Sequence, residues 1–535
     1  MEFDSSYDRC MTMKSKIDRP RPTFRWAALL AIVLIAGAVG TAAGQDGASR
    51  RVVKETPLGQ VDLSEYDAKK PTFWVSPDGR HAAYLTEKGI VIDGKASPDY
   101  EFGVKPESFT FSPDSQRTAY TAIALREHRD EVLVLDGVEG EKGYSSIGAG
   151  PVFSPDSKHV GMIARLSASS FDQVPVIDGR EGEPHEDYSW ESTFSADSKR
   201  FIYGVKIGEN YVMHEDSVDG SEPRVEHAHG PATLRGNLFF GLDGQLGYVA
   251  STPDHKCFLV YDGQEDPNRY EEIQYIRVSR NGKHVAYVAE PQSFRHVVVA
   301  HGKPGKVYDD LDVDSLEISP DGQHWGYVIE ERRKWCVVLD GKEQKQYDGV
   351  SSPVYSPDSQ RVAYLAVANG KLMSVVNGKE GKTYDDRDLP VFSPDSKSAA
   401  FWAKQGERSF IVYNGQKQPD YDDVGTPKYS SNSQRVAYLA QKNGRWMMAE
   451  PGKEGKLYDD IKGTFYFSDD SLHLAMVAYD NQRQVVVVDG QEGNRYDEII
   501  TLGGVTKLHF DDGDAFHYLA RKGNDLFLVE ETLGE

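Results

Sequence analysis

A short motif recurs along almost the whole chain, and this repetition restricts the possible folds more than any other feature. The motif reads Ser-Pro-Asp or a degenerate form of it. Its twelve copies begin at Ser76, Ser112, Ser154, Ser195, Gly241, Ser279, Ser319, Ser356, Ser393, Ser430, Ser468 and about Phe510. They are mostly 36 to 42 residues apart, with one interval of 46 residues. Repeats of this length are supersecondary units that must stack on one another to bury their apolar faces.

One repeat unit, residues 353–386, predicts four strands separated by turns. The strands are "PVYS", "RVAYLAV", "LMSVVN" and "TYDD". Ser359 stands in the first turn where other copies have glycine, which indicates a position that favours positive φ. The second strand is apolar on both faces, whereas a sheet with one wet face alternates apolar and polar residues. We therefore expect each sheet to be packed between two neighbours, as the radial blades of a β-propeller are.

Twelve blades exceed the four to eight that one propeller ring usually contains. We therefore expect an all-β protein of two six-bladed rings, the first at residues 61–302 and the second at residues 303–535. A seven-plus-five division and one larger ring are the alternatives.

A spare copy of the outer strand, "DLSEYD" at residues 62–67, precedes the first repeat. With two rings, this strand would close the first ring near Ala300, and "KVYDDL" from Lys306 would close the second. With one ring, it would complete the last blade, which lacks an outer strand. Such closure removes the exposed edges that make open sheets prone to aggregate.

Residues 1–43 have the layout of a secretory signal peptide. Basic residues are followed by an apolar run from Trp26 to Val39 and then by small residues. We expect cleavage near Gly44, which leaves residues 44–60 as a linker. The alternative is an uncleaved segment that anchors the protein in the membrane. Either way, we expect the bulk of the chain in the periplasm or secreted.

The charge and the cysteines exclude some classes of protein. The formal net charge of −23 argues against nucleic-acid binding, because so acidic a surface repels phosphate. Cys10, Cys257 and Cys336 show neither metal-site spacing nor a disulfide framework. We expect Cys257 and Cys336 to be free, buried thiols.

The repeats "FSPDSQRTAY", "FSPDSKHVGM", "ISPDGQHWGY", "YSPDSQRVAY" and "FSPDSKSAAF" resemble the TolB-type, WD-like β-propeller repeat of bacterial envelope proteins. The resemblance covers roughly residues 61–530. It implies protein or ligand binding in the cell envelope and transfers no catalytic residue. Propellers have many functions, so the resemblance says much about the fold and little about activity.

Motifs of established chemistry are missing from the sequence. There is no G-x-S-x-G nucleophile elbow, HExxH motif, P-loop or Rossmann fingerprint. We therefore expect no enzyme, no catalytic residue, no cofactor and no metal ion. A metal site at His214, His227 and His229 is the alternative, because histidines at such spacing can share one face of a strand.

A tyrosine recurs in the outer strand of nearly every unit, and it is usually followed by an acid. The tyrosines are Tyr66, Tyr100, Tyr144, Tyr188, Tyr270, Tyr308, Tyr347, Tyr384, Tyr421, Tyr458 and Tyr496. A residue that recurs in every blade is more often structural than functional. We interpret the tyrosine as packing under the next blade and the following acid as a backbone cap.

The position after this pair is acidic mainly in the second half of the chain. The acids are Glu272, Asp310, Asp386, Asp423, Asp460 and Glu498, whereas the first half has Ala68, Phe102, Ser146 and Trp190. We expect these six acids to lie on one side of their rings and to attract a basic protein or peptide segment, or divalent cations. A solvated rim without a partner is the alternative.

The sequence therefore favours a non-enzymatic envelope scaffold that binds a protein or peptide partner. The competing hypothesis is a propeller that binds a small molecule or glycan in its channel. An aromatic funnel with a few polar groups would favour the small ligand.

Overall fold

The structure is a computed structural model. It describes residues 51–61, 73–125, 129–148, 150–169, 172–185, 188–207, 210–221, 225–227, 233–234, 239–240, 245–252, 254–502, 505–506, 508–511 and 514–533. Residues 51–534 belong to one compact unit. Twelve antiparallel sheets follow one another along the chain, each with four strand positions, and we number them as blades 1 to 12.

Blades 1 to 6 contain the following strands, written from the inner to the outer strand. Blade 1 has Phe73–Val75, Ala82–Leu85, Ile90–Ile92 and Lys95–Ala96; blade 2 has Thr110–Phe111, Thr118–Leu125, Arg129–Leu135 and Val138–Glu139; blade 3 has Ser146–Ile147 with Val152–Phe153, Val160–Arg165, Gln173–Ile177 and Arg180–Glu181; blade 4 has Tyr188–Phe194, Arg200–Ile207, Asn210–Ser217 and Val225–His227; blade 5 has Thr233–Leu234 with Phe239–Phe240, Leu246–Ser251, Cys257–Tyr261 and Gln264–Glu265; blade 6 has Glu272–Val278, Val285–Gln292, Arg295–Ala300 and Lys303–Tyr308.

Blades 7 to 12 repeat the same order, and in several the inner strand is interrupted into two pieces. Blade 7 has Leu311–Ile318, Trp325–Glu331, Lys334–Leu339 and Lys342–Glu343; blade 8 has Gly349–Val350 with Val354–Tyr355, Val362–Ala368, Lys371–Val376 and Lys379–Tyr384; blade 9 has Asp386–Arg387 with Val391–Phe392, Ala399–Gln405, Arg408–Tyr413 and Gln416–Lys417; blade 10 has Asp423–Val424 with Lys428–Tyr429, Val436–Lys442, Arg445–Glu450 and Lys453–Glu454; blade 11 has Asp460–Phe467, Leu474–Asp480, Arg483–Val488 and Gln491–Tyr496; blade 12 has Glu498–Ile499 with His509–Phe510, Ala515–Lys522, Asp525–Thr532 and, from the beginning of the chain, Val52–Gln60.

Two short elements lie outside this scheme. A 3-10 turn, Pro106–Ser108, precedes the inner strand of blade 2, and a small hairpin of Thr501–Leu502 and Val505–Thr506 interrupts that of blade 12.

The blades form one ring, because apolar clusters link each blade to the next around the whole circle. Val298 of blade 6 packs with Ile329 of blade 7, so no ring ends between them. Leu519 of blade 12 packs with Phe73 of blade 1, which completes the circle. The second strands are buried on both faces, as the sequence predicts: Tyr364, Leu365 and Ala366 are all buried.

The all-β propeller of twelve four-stranded blades is therefore confirmed, and of the ring arrangements considered, the larger single ring is the one present. The division at residues 302 and 303 falls inside blade 6. Lys303–Tyr308, the strand expected to close a second ring, pairs instead with Arg295–Ala300 of its own blade.

The ring is closed by Val52–Gln60, which pairs antiparallel with Asp525–Thr532 and supplies the outer strand of blade 12. The sequence predicted an amino-terminal strand in this role but assigned it to residues 62–67, which lie outside the described residues. Glu55 explains the difference. Its carboxylate accepts a hydrogen bond from the Tyr496 hydroxyl of blade 11 at 2.7 Å, as outer-strand glutamates of other blades do from the tyrosine of the preceding blade. A second hydrogen bond comes from Lys522 Nζ of blade 12 itself, at 2.8 Å.

We call this arrangement the outer clasp: Tyr and Lys of one blade bind the outer-strand glutamate of the next. The Tyr308 hydroxyl and Lys306 Nζ lie 3.1 and 2.7 Å from Glu343 of blade 7. Tyr347 and Lys345 contact Glu380 of blade 8 in the same way, at 2.8 and 2.7 Å. The recurring tyrosines are thus structural, as interpreted from the sequence.

The opposite side of each junction is held at the Ser-Pro-Asp turns, and we call the ring face that carries them the turn face. Asp358 donates its backbone N–H to the Ser396 hydroxyl of the next blade at 3.0 Å, and Asp395 donates to Ser433 at 2.9 Å. Ser359 has φ of +61°, the positive value predicted from the sequence. Serine therefore adopts a positive φ at this turn position, where its hydroxyl accepts a hydrogen bond that joins two blades.

Cys257 and Cys336 are free and buried, as predicted. Both lie in third strands and pack within the clusters between blades.

Deleting residues 52–60 should loosen the opposite end of the chain, because Asp525–Thr532 would become an unpaired edge. We expect amide exchange in that strand to accelerate by about 100-fold, because it loses its pairing with Val52–Gln60. Each tenfold change in exchange rate corresponds to about 1.4 kcal/mol of local stability. Exchange followed by mass spectrometry on the full chain measures this. Deleting residues 44–50 is the control. Unchanged exchange in Asp525–Thr532 would contradict closure by this strand.

Candidate functional site

The six acids singled out from the sequence occupy one place in the repeat. Each stands at or just before the start of its inner strand, opposite the end of the second strand. Asp386 pairs with Lys404, Asp423 with Gln441, Asp460 with Tyr479, Glu498 with Arg521 and Glu272 with Glu290. Asp310 is placed alike, since its carbonyl accepts the N–H of Glu330. Equal register places all six on the face where the chain passes between blades, which we call the connection face.

The six carboxylates differ in how strongly they are neutralised. Glu498 pairs with Arg521 at 2.9 Å, and Asp460 lies 3.4 Å from Lys462 Nζ. Within the described part of the chain, Glu272, Asp310 and Asp423 are exposed and form no ion pair. The uncompensated negative charge of this set is therefore carried by blades 6, 7 and 10.

Some of these side chains also have a local structural role. Asp386, Asp423 and Asp460 each accept the backbone N–H of the following residue, at 3.1, 2.9 and 2.9 Å. An asparagine carbonyl oxygen can accept the same hydrogen bond. The charge can therefore be removed without removing the contact.

The acids that directly follow the recurring tyrosines are caps, as the sequence indicated. Asp385 accepts the Gly406 N–H of the next blade at 2.7 Å and pairs with Lys371 of its own blade. Asp348 likewise accepts the Asn369 N–H at 3.1 Å. The hydrogen bond from Lys371 lowers the pKa of Asp385. Adjacent acids thus differ: the first joins two blades, and the second is exposed in blades 6, 7 and 10.

Sequence reasoning missed Phe294, which lies on the same face. It occupies the turn between the second and third strands of blade 6 with φ of +62°, and 84% of its surface is exposed. The neighbouring Ser293 hydroxyl donates to Glu271 at 2.9 Å, so the ring lies beside the acids that start blade 6. The signal was a bulky aromatic residue in a turn where the equivalent turns of blades 8 and 10 have Asn-Gly.

A cavity of about 700 Å³ lies on the turn face where blades 11, 12 and 1 meet. Its lining includes Phe510, Phe516, Arg80, Asp511 and Glu530. Arg80 donates to Asp511 at 2.8 Å and to Glu530 at 2.9 Å. These charges already satisfy one another across the closing junction, so the polar part of the wall is structural. The cavity lies between blades, not in the channel considered from the sequence.

The described residues contain no group of three or more His, Cys, Asp or Glu side chains arranged to hold a metal ion. His214 is buried within Asn210–Ser217. His229 and the side chain of His227 lie outside the described part. The search for membrane-spanning helices, restricted to the same described residues, finds no helix of sufficient length and apolarity.

Comparison with known proteins identifies no family. No protein-family model and no curated protein matches the chain. Similar solved structures include a eukaryotic initiation factor (12% identity, 64% of this chain and 96% of that chain, TM-score 0.31) and the Dos1 propeller (9%, 64% and 91%, 0.28). A third is dihydro-heme d1 dehydrogenase NirN in complex with DHE (13%, 56% and 72%, 0.28). Similarity this low carries no argument, so the fold assignment rests on the strand order and the contacts between blades.

His81, next to Arg80 on the turn face, should make stability depend on pH. Its Nδ1 lies 2.6 Å from Asp93 Oδ2, and this hydrogen bond raises the pKa of His81 above 6.5 despite partial burial. The pair therefore stabilises the fold fully below about pH 6.5 and loses this effect as pH rises through the folded pKa. We expect His81→Gln to lower Tm more at pH 5.5 than at pH 8. The corresponding loss in the free energy of unfolding should be less than about 1 kcal/mol, since a third of the side chain is exposed.

The matched control for this prediction is Arg117, which pairs with Asp136 at 2.9 Å at the equivalent place in blade 2. Because arginine stays charged, Arg117→Gln should lower Tm equally at both pH values. Equal losses at both pH values for His81→Gln would contradict the pH dependence.

Proposed function

We propose that this protein is a non-enzymatic binding scaffold that engages a basic protein or peptide segment on its connection face. The observation that carries this proposal is the equal register of Glu272, Asp310, Asp386, Asp423, Asp460 and Glu498 on one face. The other recurring polar residues of the repeat, by contrast, are used in contacts between blades.

The chemistry of this face suits a cationic partner. Like charges on one face, in a protein of net charge −23, raise the local concentration of cations and speed their association. Phe294 adds an exposed aromatic ring on which an arginine or lysine can stack. The acids would steer the partner, and the ring would supply short-range contact.

Placement outside the cytoplasm is part of the same proposal. It is supported by the signal-like residues 1–43 and by the resemblance of the repeat to TolB-type propellers of the bacterial envelope. The closing strand begins at Val52, so cleavage near Gly44 leaves it intact. The alternative remains a membrane anchor.

A small molecule is the second candidate ligand, and the cavity of about 700 Å³ between blades 11, 12 and 1 favours it. Phe510 and Phe516 supply an apolar wall, and this volume lies within the range of small-molecule sites.

Replacing Asp310, Asp386, Asp423 and Asp460 by Asn tests the proposed partner surface. We expect normal folding and roughly three- to tenfold slower association with a fluorescent hexa-arginine peptide at low salt, with the difference vanishing at high salt. Stopped-flow fluorescence measures the rates, and circular dichroism checks the fold.

The control neutralises four exposed acids away from the connection face, Glu141, Glu183, Asp262 and Asp469. An equal loss of rate in this control would show that only net charge matters. Unfolding of the first variant would show that the acids are structural.

Amino-terminal sequencing of the protein exported by a bacterial host tests its placement. We expect a mature chain that begins near Gly44. An exported product that still contains residue 20 would favour the anchor.

A further inference from the structure

The outer clasp is missing from the junction between blades 8 and 9. Glutamate is also absent from the clasp register in blades 1 and 6, where the uncharged residues Ala96 and Pro304 stand, but in blade 9 a cation takes its place. The clasp glutamate stands opposite the fifth residue of the third strand: Glu343 faces Val338, Glu380 faces Val375 and Glu492 faces Val487. In blade 9 the residue in this register, opposite Val412, is Lys417. A cation therefore replaces the carboxylate.

The partners of the missing carboxylate are still present in blade 8. Lys382 and Tyr384 stand where Lys345 and Tyr347 stand in blade 7. In the described part of the chain, Lys382 forms no ion pair and the Tyr384 hydroxyl makes no hydrogen bond. Lys417 is directed to Asp420 of its own blade, at 2.7 Å. The outer edge of this junction thus has no bond of the clasp type.

A buried arginine weakens the same junction further in. Arg387 pairs with Ala403 and is only 3% exposed. In seven other blades the residue described in this register is aliphatic: Ile147, Ile273, Leu311, Val350, Val424, Ile461 and Ile499.

The Arg387 guanidinium lies over the Phe401 ring at 3.7 Å and donates one hydrogen bond to the Ser374 hydroxyl. Its other terminal nitrogen, NH2, is buried without a hydrogen-bond partner. Burial lowers the pKa of Arg387 to about 10. It still carries a charge at neutral pH, and a buried guanidinium that leaves one nitrogen without a hydrogen-bond partner favours solvent exposure.

We propose that the ring opens at the outer edge of the junction between blades 8 and 9, with the turn face and the chain connection at Asp385 as the hinge. The hinge contacts are intact, because Asp358 still donates to Ser396 and Arg361 lies over the Phe392 ring at 4.6 Å. Opening exposes Arg387 to water and uncovers the apolar faces of both blades. Local opening occurs where apolar contacts are few and polar groups are poorly paired. The apolar cluster at this junction contains four buried residues, whereas the cluster between blades 7 and 8 contains seven.

Cysteine probes test the site of opening directly. Ala403 of blade 9, Ala366 of blade 8, Ala440 of blade 10 and Ala250 of blade 5 are buried residues of second strands. Each is changed to Cys, one at a time, in a full chain whose three native cysteines are Ala. We expect a small thiol reagent to modify Ala403→Cys at least about tenfold faster than the other three.

Variants that restore the repeat pattern test whether Lys417 and Arg387 cause the opening, or whether the whole ring opens at many junctions. Adding Lys417→Glu and Arg387→Leu to the Ala403→Cys chain should slow its modification to the rate of Ala366→Cys. The reverse change, Glu380→Lys, should speed the modification of Ala366→Cys. Faster labelling at Ala250→Cys than at Ala403→Cys, or a rate that the restoring variants leave unchanged, would overturn the proposal.

Discussion

Apolar contact between the flat faces of adjacent blades is the interaction on which the rest of this structure depends. A second strand such as Val362–Ala368 has apolar side chains on both faces, so one sheet leaves both faces exposed to water. Burial of apolar area is the largest favourable contribution to folding. Each blade therefore needs a neighbour on either side. The free faces of the first and last blades are buried only when these two blades pack against each other.

Polar contacts then determine how neighbouring blades are aligned. On the turn face a serine hydroxyl accepts an N–H from the preceding blade, and at the outer edge Tyr and Lys bind a glutamate of the next. Each such bond contributes only about 1 kcal/mol. These bonds recur at equivalent positions around the ring, and we call the recurring set the frame. The amino-terminal strand contributes to the frame through Glu55.

The same repetition separates candidate functional residues from structural ones. The Tyr-Asp pair is used in contacts between blades, whereas the following acid is present only in some blades and is exposed in three of them. Residues that depart from the repeat pattern are candidates for a function for the same reason. Phe294 in a turn, Arg387 in an aliphatic position and Lys417 in place of a glutamate each depart from the pattern, and two of the three lie at one junction.

The sequence alone determined the blade, because strand periodicity, turn residues and two-sided apolarity are local properties. It also predicted the six acids on one face, since equal spacing from a recurring tyrosine means equal register. The number of blades in the ring was decided only by the tertiary structure, because ring size depends on the angle between blades, which side-chain packing across each junction sets. The sequence predicted closure by an amino-terminal strand but not its residues, because their signal is one glutamate whose partners, Tyr496 and Lys522, lie at the far end of the chain. The exposure of Phe294 and the burial of Arg387 likewise depend on neighbouring blades, which no local pattern specifies.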